Sequence, residues 1–250
     1  MHAIYYDEVH DEIIVPQTFA QAILTFRGGA HGEEPPIRVI QGSQTGLQYS
    51  DTLAVDPIHN EIFAAERNGT IHVFPREANG NVAPIRRLGG ADTQLSGFMK
   101  VAVDPIHDLL IVSGGRSGLL IFNRTDSGNA KPKRIITGGP KSRVQGPSGH
   151  FAIYPPTGMI VATTSTYRAE TDRGESEGGP AGSGFGADPS DSFVGAWSIE
   201  DNGDVSPRWT IVHNIYREAR GVTLDPKNKT LIVSDKGLNA VMTFYFPEIF

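Results

Sequence analysis

Apolar residues along this chain fall in short clusters broken by turn-forming text, a rhythm that predicts many brief β-strands and no long helix. The clearest stretch runs from Leu53 to Phe74, LAVDPIHNEIFAAERNGTIHVF, and holds three β-rich runs. Related text stands as AIYYDEVHDEIIV around Asp7, VAVDPIHDLLIV around Asp104, FAIYPPTGMIVA around Tyr154 and VTLDPKNKTLIV around Asp225. Five copies of one unit define a repeat protein. The landmarks Asp7, Asp56, Asp104, Tyr154 and Asp225 are spaced by 49, 48, 50 and 71 residues. An aromatic that ends the third run falls at Phe26, Phe74, Phe122, Trp197 and Phe244, with steps of 48, 48, 75 and 47. A proline opening a fourth run falls at Pro36, Pro84, Pro132 and Pro207. A period of about 40–50 residues with four strands per unit is that of a β-propeller.

Within a unit each run has its own chemistry. The first (Leu53 to Val55, Val101 to Val103, Val222 to Leu224) is short, apolar and built of small residues, as a strand beside a crowded axis requires. An Asp-Pro stop follows, because proline fixes φ and removes a ladder donor. The second run (Glu61 to Ala65, Leu109 to Ser113, Thr230 to Ser234) is β-branched and nearly all apolar, which predicts burial on both faces. The third alternates and ends on the aromatic, whose ring is expected to fill the wedge between neighbouring sheets.

Asn79-Gly80-Asn81, Ser127-Gly128-Asn129 and Asn202-Gly203-Asp204 lie between third and fourth runs and carry a hairpin signal. The fourth run interleaves basic and apolar residues. Arg38, Arg86, Arg87 and Arg134 are expected to be solvated charges that blunt an outer edge. The units run at about 1–50, 51–98, 99–148, 149–219 and 220–250. The fourth unit is enlarged by Thr164 to Ser192, whose Gly-, Ser- and acid-rich middle predicts a mobile solvated loop, with a lid as the alternative. The fifth has three runs rather than four. That leaves three possibilities: five blades with one short blade, a missing blade, or an edge completed by a second chain in a homodimer. The apolar tail Phe244, Tyr245, Phe246, Ile249 and Phe250 is expected to pack on the first blade or across such a dimer contact.

Composition narrows the function classes. At 250 residues one β domain accounts for the chain, and the net charge of −6 argues against a nucleic-acid partner. No cysteine is present, which excludes thiolate chemistry and a disulfide framework. Met1 is followed at once by repeat text, with neither a signal peptide nor a membrane span, so a soluble chain of unassigned compartment is expected. Metalloprotease, P-loop, dinucleotide and nucleophile-elbow motifs are all absent.

The V-A-V-D-P text, the apolar strand with its polar turn and the aromatic strand end resemble the NHL-type β-propeller repeat. Ser234-Asp235-Lys236-Gly237-Leu238-Asn239-Ala240-Val241 is the closest match, and Glu66-Arg67-Asn68-Gly69-Thr70-Ile71 the next. The resemblance covers almost the whole chain outside the long insertion. It implies a protein-, RNA- or ligand-binding module or a lyase. The similar lactonase and organophosphate-hydrolase propellers hold calcium on the axis.

Propeller topology gathers the loops before first runs and after second runs on one face. His2, Asp51, Lys100, His150 and Arg220 precede first runs, while Gln17, Glu66 and Asp235 follow second runs. The leading expectation is a small polar ligand or protein segment bound at this axial face, with Gln17, Lys100 and Arg220 as ligand-binding residues. The alternative is a metal-dependent hydrolase of lactones or phosphoesters. There Asp51, Glu66 and Asp235 would hold a divalent cation such as calcium and His150 would be the general base. A hard cation wants six to eight oxygens, and three carboxylates supply only part of such a shell. On the opposite face His10, His59 and His107 repeat at one turn position and are expected to be turn residues. Asp7, Asp56, Asp104 and Asp225 are expected to accept bonds from their own turns.

Overall fold

In the computed structural model, residues 3–114, 118–144, 150–164, 193–211, 216 and 219–250 are described. They form five antiparallel sheets in a ring, the arrangement of a five-bladed β-propeller. The first blade is β1 (Tyr5–Asp7), β2 (Glu12–Gln17), β3 (Ala22–Arg27) and β4 (Arg38–Gln41). The second is β5 (Ser50–Asp56), β6 (Glu61–Glu66), β7 (Thr70–Pro75) and β8 (Arg86–Gly89). The third is β9 (Lys100–Asp104), β10 (Leu109–Gly114), β11 (Gly118–Asn123) and β12 (Arg134–Ile136). The fourth is β13 (Phe151–Tyr154), β14 (Met159–Thr164), β15 (Phe193–Ser198) and β16 (Trp209–Ile211). The fifth has three strands, β17 (Ala219–Asp225), β18 (Thr230–Asp235) and β19 (Ala240–Tyr245). The expected loop from Thr164 to Ser192 lies, beyond Thr164, outside the described residues, as does His2.

Apolar side chains seal the junctions between consecutive blades. Phe74 packs against Ile14 and Ile23 of the first blade, and Phe122 against Phe63 and Val73 of the second. Trp197 fills the wedge to the third blade among Ile111 and Ile121, and Phe244 the wedge to the fourth. Each third-strand aromatic thus faces the blade before it, which accounts for the regular spacing of these rings. β6 and β14 are buried along their whole length, as a strand packed on both faces must be.

The seam between fifth and first blades is different. Among the described residues no buried apolar cluster joins them. Phe26, in register with Phe74 and Phe122, is half-buried, and Tyr6, across Ile13 in the same row, is exposed. On the fifth blade Thr223, Ser234, Val241, Thr243 and Tyr245 are exposed and Ile232 is half-buried. The two-sided burial expected for Thr230 to Ser234 is therefore one-sided. Only Leu231 and Val233, which face the fourth blade, are buried.

The Asn-Gly text does something other than close a tight hairpin. It sits in the ten-residue loops between third and fourth strands, as in 76–85, and reaches back to the preceding blade. Gly80 N–H donates to Val39 O at 2.6 Å and Gly80 O accepts from Gln41 N–H at 3.1 Å, a short parallel bridge along β4. Asn79 Oδ1 and Asn81 Oδ1 accept from the amides of Val39 (2.9 Å) and Gln44 (2.7 Å). Gly128 repeats the clasp on β8, and Gly203 on β12. Gly80, Gly128 and Gly203 all have positive φ, which explains the glycine. Gly32 shares the offset from its proline and the positive φ, but bridges no strand among the described residues.

The arginines of the fourth runs are likewise not plain solvated charges. Glu12 accepts from Arg38 of its own blade at 2.5 Å and from Arg76 of the next at 2.7 Å. Glu61 repeats this with Arg86 (2.7 Å, both carboxylate oxygens) and with Arg124 of the third blade at 2.7 Å. Arg134 pairs with Glu200. Only Arg87 has no carboxylate partner among these four, considering the described residues.

The C-terminal tail also corrects the sequence expectation. It packs on the fourth and fifth blades rather than the first. Ile249 is fully buried in their shared core, Phe250 meets Tyr154 edge-on at 4.9 Å, and Thr157 donates to Ile249 O at 2.9 Å. Deleting residues 246–250 should therefore cost roughly 3 kcal/mol or more, seen as a lower urea midpoint. An unchanged midpoint would show that this tail contributes nothing to the core.

Candidate functional site

The first residues of β5, β9 and β17 and the residue just before β13 bring Asp51, Lys100, Arg220 and His150 toward one another from four successive blades. Asp51 and Arg220 occupy equivalent places: each is the extra residue of a β-bulge, between Ser50 and Thr52 in β5 and between Ala219 and Gly221 in β17. A bulge leaves one residue out of the ladder and re-aims its side chain, a device common beside functional sites. Lys100 opens β9, and its amide accepts no slack: it donates to Ser113 Oγ at 3.0 Å. His150 is pinned by its backbone to Thr163, through Thr163 N–H to His150 O at 2.9 Å and His150 N–H to Thr163 Oγ1 at 3.2 Å.

Electrostatics show that these groups share one environment. Burial lowers the Lys100 ammonium below its ordinary range; Asp51 opposes the shift and the Arg220 charge adds to it. Burial together with the Lys100 and Arg220 charges pushes His150 down to about 4, so its ring is neutral at pH 7. Basic groups from three consecutive blades thus crowd a partly desolvated space.

The carboxylates of the same face have structural occupations. Asp51 accepts from Arg67 Nε at 2.7 Å and from Thr18 Oγ1 at 3.1 Å, which ties the first blade to the second. Glu66, almost fully buried, accepts from the amides of Gln48 (3.1 Å) and Tyr49 (2.6 Å). Burial, with help from the Asp51 charge, raises its carboxyl above the usual range despite those amides. Asp235 accepts from Leu238 N–H at 2.9 Å and lies near Tyr216, whose hydroxyl is pushed up by burial and by that carboxylate. Gln17 ends β2, half-buried, opposite Ala22. Among the described residues no three of His, Cys, Asp and Glu gather as a set that could hold a metal ion.

Arg67 is the residue that sequence reasoning passed over. Its guanidinium lies between the rings of Tyr49 and Phe98, 3.8 Å from each centroid, while Nε holds Asp51. Phe19, exposed, meets Tyr49 edge-on at 6.4 Å, so an aromatic ledge adjoins the basic cluster. Arg67 stood in the sequence as part of a turn, and only the closed ring puts two other loops beside it.

The opposite face matches expectation. Asp7, Asp56 and Asp104 each accept from two amides of their own turn and contact the Nδ1 of His10 (2.8 Å), His59 (2.8 Å) and His107 (2.7 Å). Asp225 does the same with Asn228. These histidines stand in separate turns, one in each of the first three blades.

Fold and site together define a β-propeller with a polar axial face, an architecture suited to binding a ligand or a protein. No family model and no curated protein matches the chain. No helix among the described residues is long and apolar enough to cross a membrane.

Proposed function

We propose that this protein is an NHL-like binding propeller whose axial face takes a small polar ligand through an anionic group. The observation that carries this reading is the gathering of Lys100, His150 and Arg220 in one partly buried space, where burial first and the neighbouring positive charges second hold Lys100 and His150 below their ordinary pKa values. Crowded basic groups in a partly dry site are relieved by an anion, so binding energy is gained where the free protein is strained. Arg67, Tyr49 and Phe98 offer a flat surface beside that site for the ligand's body. The hydrolase alternative finds less support: Asp51 and Glu66 already hold an arginine and two amides, and His150 is surrounded by cations rather than carboxylates.

Succinate is a suitable probe, followed by titration calorimetry on the full chain. Lys100→Gln is expected to weaken binding about tenfold or more, and ionic strength to weaken it as well. Because an anion favours the His150 imidazolium, affinity should rise as pH falls from 7 toward 5, with proton uptake. No measurable heat with succinate or phosphate, or affinity indifferent to Lys100→Gln and to pH, would contradict an anion site here.

A further inference from the structure

On the outer part of the second blade, away from the axis, a cavity of about 370 Å³ is lined by Gln48, Asn68, Thr70, His72, Arg87 and glycines that include Gly46. No acidic side chain lines it. We infer that this cavity is a second binding site, for a small tetrahedral oxyanion such as phosphate or the phosphate group of a small ester.

Three observations converge on that chemistry. Arg87 is exposed and, alone among the arginines of the fourth strands, has no carboxylate partner among the described residues. An unpaired guanidinium presents several N–H donors in a planar fork that matches phosphate oxygens. His72, opposite Arg87 in the β7–β8 ladder, is buried, and its Nδ1 donates to Thr45 O at 3.1 Å. That bond leaves Nε2 as the nitrogen that gains a proton and becomes a donor when an anion arrives. In the free protein burial and the Arg87 charge hold His72 below its ordinary pKa, and among the described residues Arg87 is the charged group that acts on it.

The third observation is Gly46, at φ 73°, where a Cβ would stand 2.6 Å from His72 Cε1 and 3.0 Å from Arg87 Nη2. Glycine at this point lets the loop close over both basic groups without filling the space between them. The side chains of Thr70, Gln48 and Asn68 add uncharged polar groups around the same volume. One guanidinium beside an imidazole that can take up a proton, with neutral polar groups and no carboxylate, selects an anion rather than a metal or an ammonium group.

The test is a titration of the full chain with inorganic phosphate, followed through the ring resonances of His72 by NMR. Saturable shifts and a rise in the His72 pKa are expected, with affinity lowered at least tenfold by Arg87→Gln and less by Arg87→Lys. Gly46→Ala should weaken binding too, whereas Arg220→Gln, at the axial face, should leave the His72 response unchanged. The inference is overturned if sodium chloride at equal ionic strength reproduces the shifts, or if Arg87→Gln keeps full affinity. Loss of the His72 response in Arg220→Gln would also overturn it, by assigning the phosphate to the axis. Since His150 reports the axial site separately, failure at one site is distinguishable from failure at the other.

Discussion

Phe122→Ala is expected to destabilise the protein by about 3–5 kcal/mol, and Phe26→Ala by roughly 1–2 kcal/mol, although the two residues occupy one position of the repeat. Phe122 is fully buried, sealed between Phe63, Val73 and Leu110, so its removal leaves a cavity that neighbouring sheets cannot collapse into. Phe26 faces the seam between the last and first blades, is only half-buried and loses less on truncation. Chemical denaturation of the two variants beside the parent measures both costs. Equal, large losses at both positions would mean that the seam is sealed in solution as tightly as the other junctions.

Glu61→Ala should cost about 3 kcal/mol, because it leaves Arg86 without its carboxylate and takes from Arg124, which keeps Asp108 and Asp56, the bond that crosses the blade junction. Arg124 and Arg86 both end on this carboxylate at 2.7 Å, and Arg124 comes from the neighbouring blade. Removing the charges together is a different matter: Glu61→Met combined with Arg86→Met and Arg124→Met should recover part of the loss, since apolar contacts replace a desolvated ion group. Acid adds a second readout. The two arginines hold the Glu61 carboxyl below its ordinary value against the opposing effect of burial, and Arg38 and Arg76 do the same for Glu12. A depressed carboxylate stabilises the fold above its unfolded pKa and loses that contribution as pH falls through the folded one. His150 acts earlier. Its folded pKa of about 4 lies below the unfolded value of 6.5, so the unfolded chain binds the extra proton between them and stability falls as pH drops through that window. Discounted for partial exposure, this amounts to roughly 2 kcal/mol. A thermal-melt series should therefore decline below pH 6.5, with His150→Asn making the decline above pH 4 shallower and the buried His72 retaining its own share. Melting temperatures flat from pH 7 to 4.5 in the parent would contradict a buried neutral His150.

The propeller was legible because its determinants are local. A turn that stops a strand, a buried second strand and an aromatic at the third strand's end recur with one spacing, and each needs only its own unit to be recognised. What escaped was what crosses between units. Asn79 and Gly80 look like a hairpin turn until β4 of the preceding blade lies beside them. Arg38 and Arg86 look like edge charges until Glu12 and Glu61 are seen beneath them. The axial residues divided along the same line. Topology was enough to place Asp51, Lys100, His150 and Arg220 on one face. Which of them carries a structural bond was set by a neighbour elsewhere in sequence, as Arg67 is for Asp51. The tail went wrong for a related reason: its apolar character was plain, but its seat on Tyr154 and Thr157 depended on the curvature of the ring.

The axial face as an anion-binding site is tested most directly by the His150 imidazole itself. Its resonances would be followed by NMR against pH, first in the free protein and then with saturating succinate. A free pKa near 4 that moves upward when succinate binds, with Lys100→Gln raising the free value and weakening the response, is the expected result. A ring that titrates near 6.5 and does not respond to succinate would contradict it.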